Sequence, residues 1–215
     1  MNRAYDGVHV LVDDNPAWKR DPIEQAEAAC QGGAHVIQLR AKRAPDRQVY
    51  LWAKTLRDMT REAGARFVVN DRFDIALETR ADAVHLGQDD IPPGEVRERV
   101  GDALQIGRST HTIEEAARAR GEGVDYVAFG PVFGTTSKDS PYTARGIPAL
   151  TEVVRTVAPL PVVAIGGIDS SRLASLRAGG VRGIAVISQV AGSPDPCAAT
   201  RELTAAFQAH EAGPT

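Results

Sequence analysis

Eight short runs of β-branched and apolar residues recur along this 215-residue chain, and each is followed by a stretch with helical punctuation. The runs are 8–12, 35–39, 66–69, 83–86, 104–107, 126–129, 162–165 and 184–187. They are largely apolar on both faces and rich in Val and Ile, as in Val162-Val163-Ala164-Ile165. Strands of that kind belong in a parallel sheet whose faces are covered by helices. The stretches between them start and stop as helices do. Asp21 precedes Pro22 and the helix ends at Gly32-Gly33; 46–63 sets Val49, Trp52, Ala53 and Leu56 on one face and ends at Gly64; Thr112 with Glu115 reads as a capping box. Eight such units in a chain of this length predict a single-domain α/β fold, a (β/α)8 or TIM barrel, ordered over about 8–210 with a frayed tail at 211–215. The alternative is a doubly wound open sheet. That fold expects a Gly-x-Gly-x-x-Gly turn after its first strand, and Asp13-Asp14-Asn15-Pro16 stands there instead.

Composition narrows the classes of function. A formal charge of −3, with no basic arm and no aromatic stacking series, argues against a general grip on nucleic acid. Cys30 and Cys197 are the two cysteines, far apart in sequence, and read as reduced thiols rather than a disulfide framework. Residues Met1 to Asp6 form no apolar signal segment, and no run approaches the roughly 18 apolar residues of a membrane span. A cytoplasmic protein is the expectation.

Chemistry in such a barrel collects at the C-terminal ends of the strands. Two runs end abruptly in acid and amide groups: Val68-Val69 delivers Asn70 and Asp71, and Val84-His85-Leu86 leads to Gln88, Asp89 and Asp90. A buried strand that empties into carboxylates is costly unless something binds them. If Asp71 and Asp90 face one cleft, they offer two hard oxygen ligands with room for water and phosphate oxygens, a set suited to Mg2+. Helix N-caps or solvated loop acids are the competing reading. Beyond Gln38, Arg40 and Lys42 lie two residues apart at the end of the second strand and point the same way, a planar fork and a compact charge for phosphate. Lys138, from the polar loop 130–146, adds a third cation.

Opposite this charged side stands a neutral one. Gly166-Gly167 after the seventh strand, and Ile187 and Ser188 after the eighth, occupy the positions where barrels of this class hold phosphate through backbone N–H groups. Ser109 and His111 lie at the end of the fifth strand, and Thr135, Thr136 and Ser137 in the loop after the sixth. His35 opens a strand at the wrong end for catalysis. His85 lies within a strand and reads as packed or internally bonded. His111 is either an acid–base group or a helix-start hydrogen-bonding residue. Two phosphate-type sites across one mouth suggest two phosphorylated ligands, or one with two ends; a metal-bound diphosphate is a leaving group, and the chemistry expected is its departure from a carbon that a second substrate attacks.

The ordered motifs Gln38-Leu39-Arg40-Ala41-Lys42, Val69-Asn70-Asp71-Arg72, Val84-His85-Leu86-Gly87-Gln88-Asp89-Asp90, Gly107-Arg108-Ser109-Thr110-His111, Gly130-Pro131-Val132-Phe133, Ala164-Ile165-Gly166-Gly167-Ile168 and Val186-Ile187-Ser188 resemble the thiamine-phosphate synthase family. The resemblance runs from the second strand to the eighth. It implies a Mg2+-dependent transferase that joins 4-amino-2-methyl-5-pyrimidinylmethyl diphosphate to 4-methyl-5-(2-phosphoethyl)thiazole, giving thiamine phosphate and pyrophosphate by a dissociative route. It assigns Asp71 and Asp90 to the metal. Gln38, Leu39, Arg40, Ala41, Lys42, Asn70, Ser109 and Lys138 fall to the pyrimidine diphosphate, with Ser109, Lys138 and Arg40 as catalytic groups. Thr135, Thr136, Ser137, Gly167, Ile187 and Ser188 fall to the thiazole phosphate. The partners implied are these two small molecules, with no nucleic acid and no membrane; self-association is left open.

Several positions depart from the family pattern. Ala41 stands where an acid is common, Gly134 replaces a proline and Ser137 a threonine. Arg108 replaces an apolar residue, and Arg182 stands where an acid precedes Gly183. Gly-Arg-Ser-x-His is also similar to the related thiazole tautomerase, a metal-independent isomerase that would use His111. That relative lacks the metal acids, whereas Asp71, Asp90, Arg40 and Lys42 are all present here. A non-catalytic binder of phosphate ligands on the same barrel is the third reading.

Overall fold

The first strand, β1 (Gly7–Asp13), pairs in parallel with both β2 (Val36–Arg40) and β8 (Gly183–Val186), so the sheet has no free edge. The computed structural model describes residues 4–134 and 142–209. Between β2 and β8 the order is sequential through β3 (Arg66–Asn70), β4 (Ala83–Leu86), β5 (Gln105–Thr110), β6 (Tyr126–Phe129) and β7 (Val162–Ile165). This is the closed parallel barrel that the alternating pattern predicts, and closure excludes the open-sheet alternative. Helices follow the strands: α1 (Pro22–Gln31), α2 (Asp46–Ala63), α3 (Phe73–Glu78), α4 (Pro93–Val100), α5 (Ile113–Gly121), α6 (Gly146–Val157) and α7 (Leu173–Ala178). After β8 come a one-turn helix, α8 (Ser188–Ala191), and the long α9 (Pro196–Ala209). No helix among the described residues is long and apolar enough to cross a membrane.

Local chemistry explains the boundaries. Asp21 caps α1 through both Ile23 and Glu24 N–H groups, and the Glu24 side chain accepts from the Asp21 N–H, a complete capping box. In α2 the buried residues are Val49, Ala53, Leu56 and Thr60, one stripe at i, i+4, i+7 and i+11. The strand β5 runs on to Thr110, past the Gly107 that its apolar pattern suggests. Ser109 and Thr110 pair with Ala128 and Phe129 of β6, and the Thr110 hydroxyl donates to the Ala128 carbonyl at 3.1 Å. Polar residues that look like loop are therefore paired strand.

Alternation along the strands sorts side chains into two cores. Outward residues such as Val10, Ile37, Leu39, Phe67, Val69, Leu86 and Ile106 pack under the helices. Burying a side chain like Phe67 there contributes roughly 2 kcal/mol. Inward residues, among them Tyr5, Leu11, Val36, Val68, Ala83, Tyr126, Val163, Ala185 and Ile187, fill the barrel. Its lower part is plugged by aromatic rings: Tyr5 stacks on Tyr126 with centroids 4.3 Å apart. Gly107 is glycine because any Cβ there would overlap the Tyr126 ring. At this floor Arg182, unexplained in sequence, pairs with Asp6 at 2.6 Å. His35 also sits at this end, where its Nδ1 accepts the Val8 N–H at 3.2 Å.

Candidate active site

All eight strands run the same way, so their last residues share one mouth. Inward parity gives Gln38 and Arg40 of β2, Asn70 of β3, His85 of β4 and Ser109 of β5 to the interior, while Leu39 and Ala41 pack in the outer layer. Leu39 and Ala41 therefore reach the mouth through backbone alone.

Arg40 pairs with the carboxylate of Asp13, whose side chain is 3% exposed against 18% for Arg40. Asp13 ends β1 and is fixed by Gln25, which accepts its N–H at 3.1 Å and donates to its carbonyl at 2.8 Å. The neighbouring Asp14 holds the loop after β2 by accepting N–H bonds from Lys42, Arg43 and Ala44 at 3.0, 2.7 and 2.7 Å. Partial burial pushes its carboxyl up, but the three donors outweigh burial and hold it below the ordinary aspartate value. The loop so fixed delivers Lys42, whose ammonium pairs with Asp71.

Asp71 follows β3 in the left-handed region at φ 64°, a conformation that costs a non-glycine residue about 1 kcal/mol or more. Its N–H donates to the His85 carbonyl at 2.8 Å, which ties the turn to β4. Asp90 lies in the turn after β4 and accepts the Gly87 N–H at 2.6 Å. Burial first, and then the hydrogen bond and charge of Asp71, hold its carboxyl above the ordinary aspartate value, while the Gly87 N–H and, less strongly, Lys42 act in the opposite sense. The two acids expected at the metal thus adjoin one another, with a cation between them and the Arg40 side of the mouth.

Among the described residues no group of three or more His, Cys, Asp or Glu side chains is arranged to hold a metal. Two adjacent, mutually repelling carboxylates nevertheless fit Mg2+, which takes one or two carboxylates and completes its shell with water and phosphate oxygens.

Ser109 lies with its Oγ 2.8 Å from His85 Nε2, and His85 Nδ1 is 2.9 Å from the Tyr126 hydroxyl. His85 is thus bonded internally. His111 uses its N–H on Glu115 at 2.6 Å, its Nδ1 on the Gly130 carbonyl at 2.6 Å, and its ring face on Tyr142, centroids 3.8 Å apart. These contacts are those of the helix-start reading.

On the far side of the mouth, Gly166 and Gly167 follow β7 at φ 100° and 62°. A Cβ on Gly167 would overlap the Gly134 carbonyl, so backbone alone fits. Arg172 donates to the Gly167 carbonyl and lies over the Phe133 ring at 4.5 Å. Ile187 is inward and 6% exposed, and Ser188 begins α8. Thr135, Thr136, Ser137 and Lys138 lie outside the described residues, as does the 211–215 tail.

Sequence reasoning gave no site role to Asp13, Asp14 or Tyr126. The first two carried a usable signal: β1, like β3 and β4, is an apolar run that ends in acids. Tyr126 carried none, since a tyrosine opening a strand reads as core.

The thiamine monophosphate synthase family profile matches residues 8–190. A thiamine-phosphate synthase from Anaeromyxobacter dehalogenans (strain 2CP-C) is 47% identical over 207 residues, 96% of this chain and 90% of that protein. One from Roseiflexus sp. (strain RS-1) is 46% identical over 198 residues, 92% of this chain and 84% of that protein. Among solved structures, thiamine phosphate pyrophosphorylase from Pyrococcus furiosus superposes with a TM-score of 0.86 at 38% identity, covering 96% of this chain and 97% of that one. Motif order, closed barrel and these relatives agree: the chain belongs to the thiamine monophosphate synthase family.

Proposed function

We propose that this chain transfers the 4-amino-2-methyl-5-pyrimidinylmethyl group from its diphosphate to 4-methyl-5-(2-phosphoethyl)thiazole, yielding thiamine phosphate and pyrophosphate. The observation that carries the reading is the Arg40, Lys42, Asp71 and Asp90 cluster at the ends of β2 to β4, across the barrel from the Gly166-Gly167 and Ile187-Ser188 backbone at β7 and β8. A charged side and a backbone side across one mouth suit a diphosphate facing a monophosphate.

In this reading Arg40 and Lys42 bind the diphosphate, and Lys138 joins them from its loop. Gln38 and Asn70 orient the pyrimidine, and Gly167, Ile187 and Ser188 hold the thiazole phosphate, a role the family resemblance extends to Thr135, Thr136 and Ser137. The carbon–oxygen bond to the diphosphate breaks and its electron pair leaves on oxygen. Arg40, Lys42 and the Ser109 hydroxyl stabilise that charge where it develops. The thiazole nitrogen then donates its lone pair to the same carbon, held within reach by the two anchored phosphates. Asp71 and Asp90 would hold Mg2+, which would supply further positive charge to the departing group. We assign the activity to the cytoplasm, where free thiols such as Cys30 and Cys197 persist.

The test is incubation of purified protein with both substrates, with and without Mg2+, and assay of pyrophosphate and thiamine phosphate. Both products should require both substrates and the metal. Metal-independent conversion of the thiazole alone would assign an isomerase instead. Binding of both ligands without products would assign a binder.

A further inference from the structure

A buried polar line descends from the mouth into the barrel: Ser109, His85, Tyr126. Tyr126 is 1% exposed and His85 6%. The Tyr126 ring is locked, stacked on Tyr5 and seated on Gly107. Its neighbour Tyr5 spends its own hydroxyl hydrogen on Gln105 at 2.7 Å. Burial, with the charges of Tyr5 and Asp125 adding to it, holds the Tyr126 phenol well above its ordinary value, so it keeps its hydrogen.

That hydrogen needs an acceptor. Among the described residues, the hydrogen-bond partner of the Tyr126 hydroxyl is His85 Nδ1, at 2.9 Å. If Nδ1 carried a hydrogen, in the other neutral tautomer or in the imidazolium, it would donate to the Tyr126 oxygen and the hydroxyl hydrogen would have to turn elsewhere. A buried phenol hydrogen would then go unbonded, at a cost of about 1–3 kcal/mol. Nδ1 is therefore the lone pair and Nε2 the N–H. Nε2 lies 2.8 Å from Ser109 Oγ and donates to it. Ser109 Oγ has no second hydrogen-bond partner among the described residues, so its own hydrogen is turned away from His85.

We propose that Tyr126 and His85 are positioning residues that fix the direction of this line, so that Ser109 meets its ligand as a hydrogen-bond donor to an anionic oxygen. Tyr126 donates to His85, His85 to Ser109, and Ser109 to the diphosphate oxygen. The last link rests on the proposed function; the first two do not. The arrangement gives a weak donor a preset orientation, which needs no reorganisation as charge develops on the departing group.

The test is nitrogen-15 NMR of protein labelled at histidine, which reads each ring nitrogen directly, together with steady-state kinetics of two variants. Wild-type His85 should show a protonated Nε2 and an unprotonated Nδ1. Tyr126→Phe keeps the ring and removes the donor. It should mix the His85 tautomers and lower kcat about tenfold, with KM for the pyrimidine diphosphate within about twofold; complete loss of a transition-state donor costs about 10²-fold or more. His85→Gln, whose amide can still donate to Ser109, should retain more kcat than His85→Leu. A protonated Nδ1 in the wild type overturns the proposal without reference to activity. A drop in kcat with the His85 tautomer unchanged overturns it as well, because the phenol would then act only by packing. If the wild type shows the expected tautomer but no transferase activity, the direction of the line stands and the functional reading fails.

Discussion

The guanidinium of Arg108 lies 2.6 Å from the carbonyl oxygen of Gly87, and its second nitrogen 3.5 Å from that of Gln88. Arg108 points outward from β5 and is 7% exposed. Gly87 thus spends its carbonyl on Arg108 and its N–H on Asp90. Gln88 returns the link by donating to the Ser109 carbonyl at 2.6 Å. The position where the family pattern has an apolar residue here fastens the turn that carries Asp90. Arg108→Leu should weaken Mg2+ binding and turnover about 10-fold, the usual scale for a residue that orients a metal ligand. Titration with Mn2+ followed by electron paramagnetic resonance, beside turnover at saturating Mg2+, measures both.

Asp71→Asn and Asp90→Asn remove charge with little change of shape, and Asn tolerates the left-handed backbone that Asp71 adopts. Each should cut Mg2+-dependent product formation by about 10³-fold, since several kcal/mol of charge stabilisation is lost. His111→Ala should keep turnover within about tenfold, because that ring serves Gly130 and Tyr142. The reverse ranking would favour the isomerase.

Asp14 supplies a pH-dependent share of stability. Its carboxyl is depressed in the folded protein, so the share is complete above the unfolded value and is lost as pH falls through the folded one. Asp14→Ala should cost about 1 kcal/mol at pH 7. The gap between variant and wild type should begin to narrow as pH falls through the ordinary aspartate range and close only below the depressed folded value, where the wild-type carboxylate takes up its proton. Urea unfolding at pH 7 and at acid pH gives the comparison.

Asp13→Ala leaves Arg40 without its buried partner. A loss of about 3 kcal/mol in urea unfolding is expected, with a raised KM for the pyrimidine diphosphate as Arg40 loses its set orientation. Lys42, held by Asp71 and by the Asp14-bound loop, should still bind, so kcat should fall less than KM rises.

The barrel was legible because its signals are local. The apolar run of β7, the Asp21 cap of α1 and the stripe of α2 each state their structure within a few residues. So were the acids of β3 and β4, since a hydrophobic run ending in Asp71 or leading to Asp90 needs a reason. What could not be read was what crosses between strands. The Arg108 link to Gly87 spans 21 residues and the His85 link to Tyr126 spans 41. Each depends on register, and a side chain's partner across a parallel pair is fixed only after closure. The end of β5 was missed for the same reason: Ser109 and Thr110 are strand because β6 is beside them.

The pairing of β8 with β1 has a consequence for synthesis. Until Val186 has emerged from the ribosome, β1 and β7 both expose unpaired backbone, an arrangement prone to wrong association. The backbone side of the mouth is incomplete in that interval, because the wall bearing Ile187 and Ser188 is not yet made. Competence and protection from proteases should therefore arrive together, once β8 is in place, and a nascent chain halted before β8 is a substrate for chaperones rather than a partial enzyme.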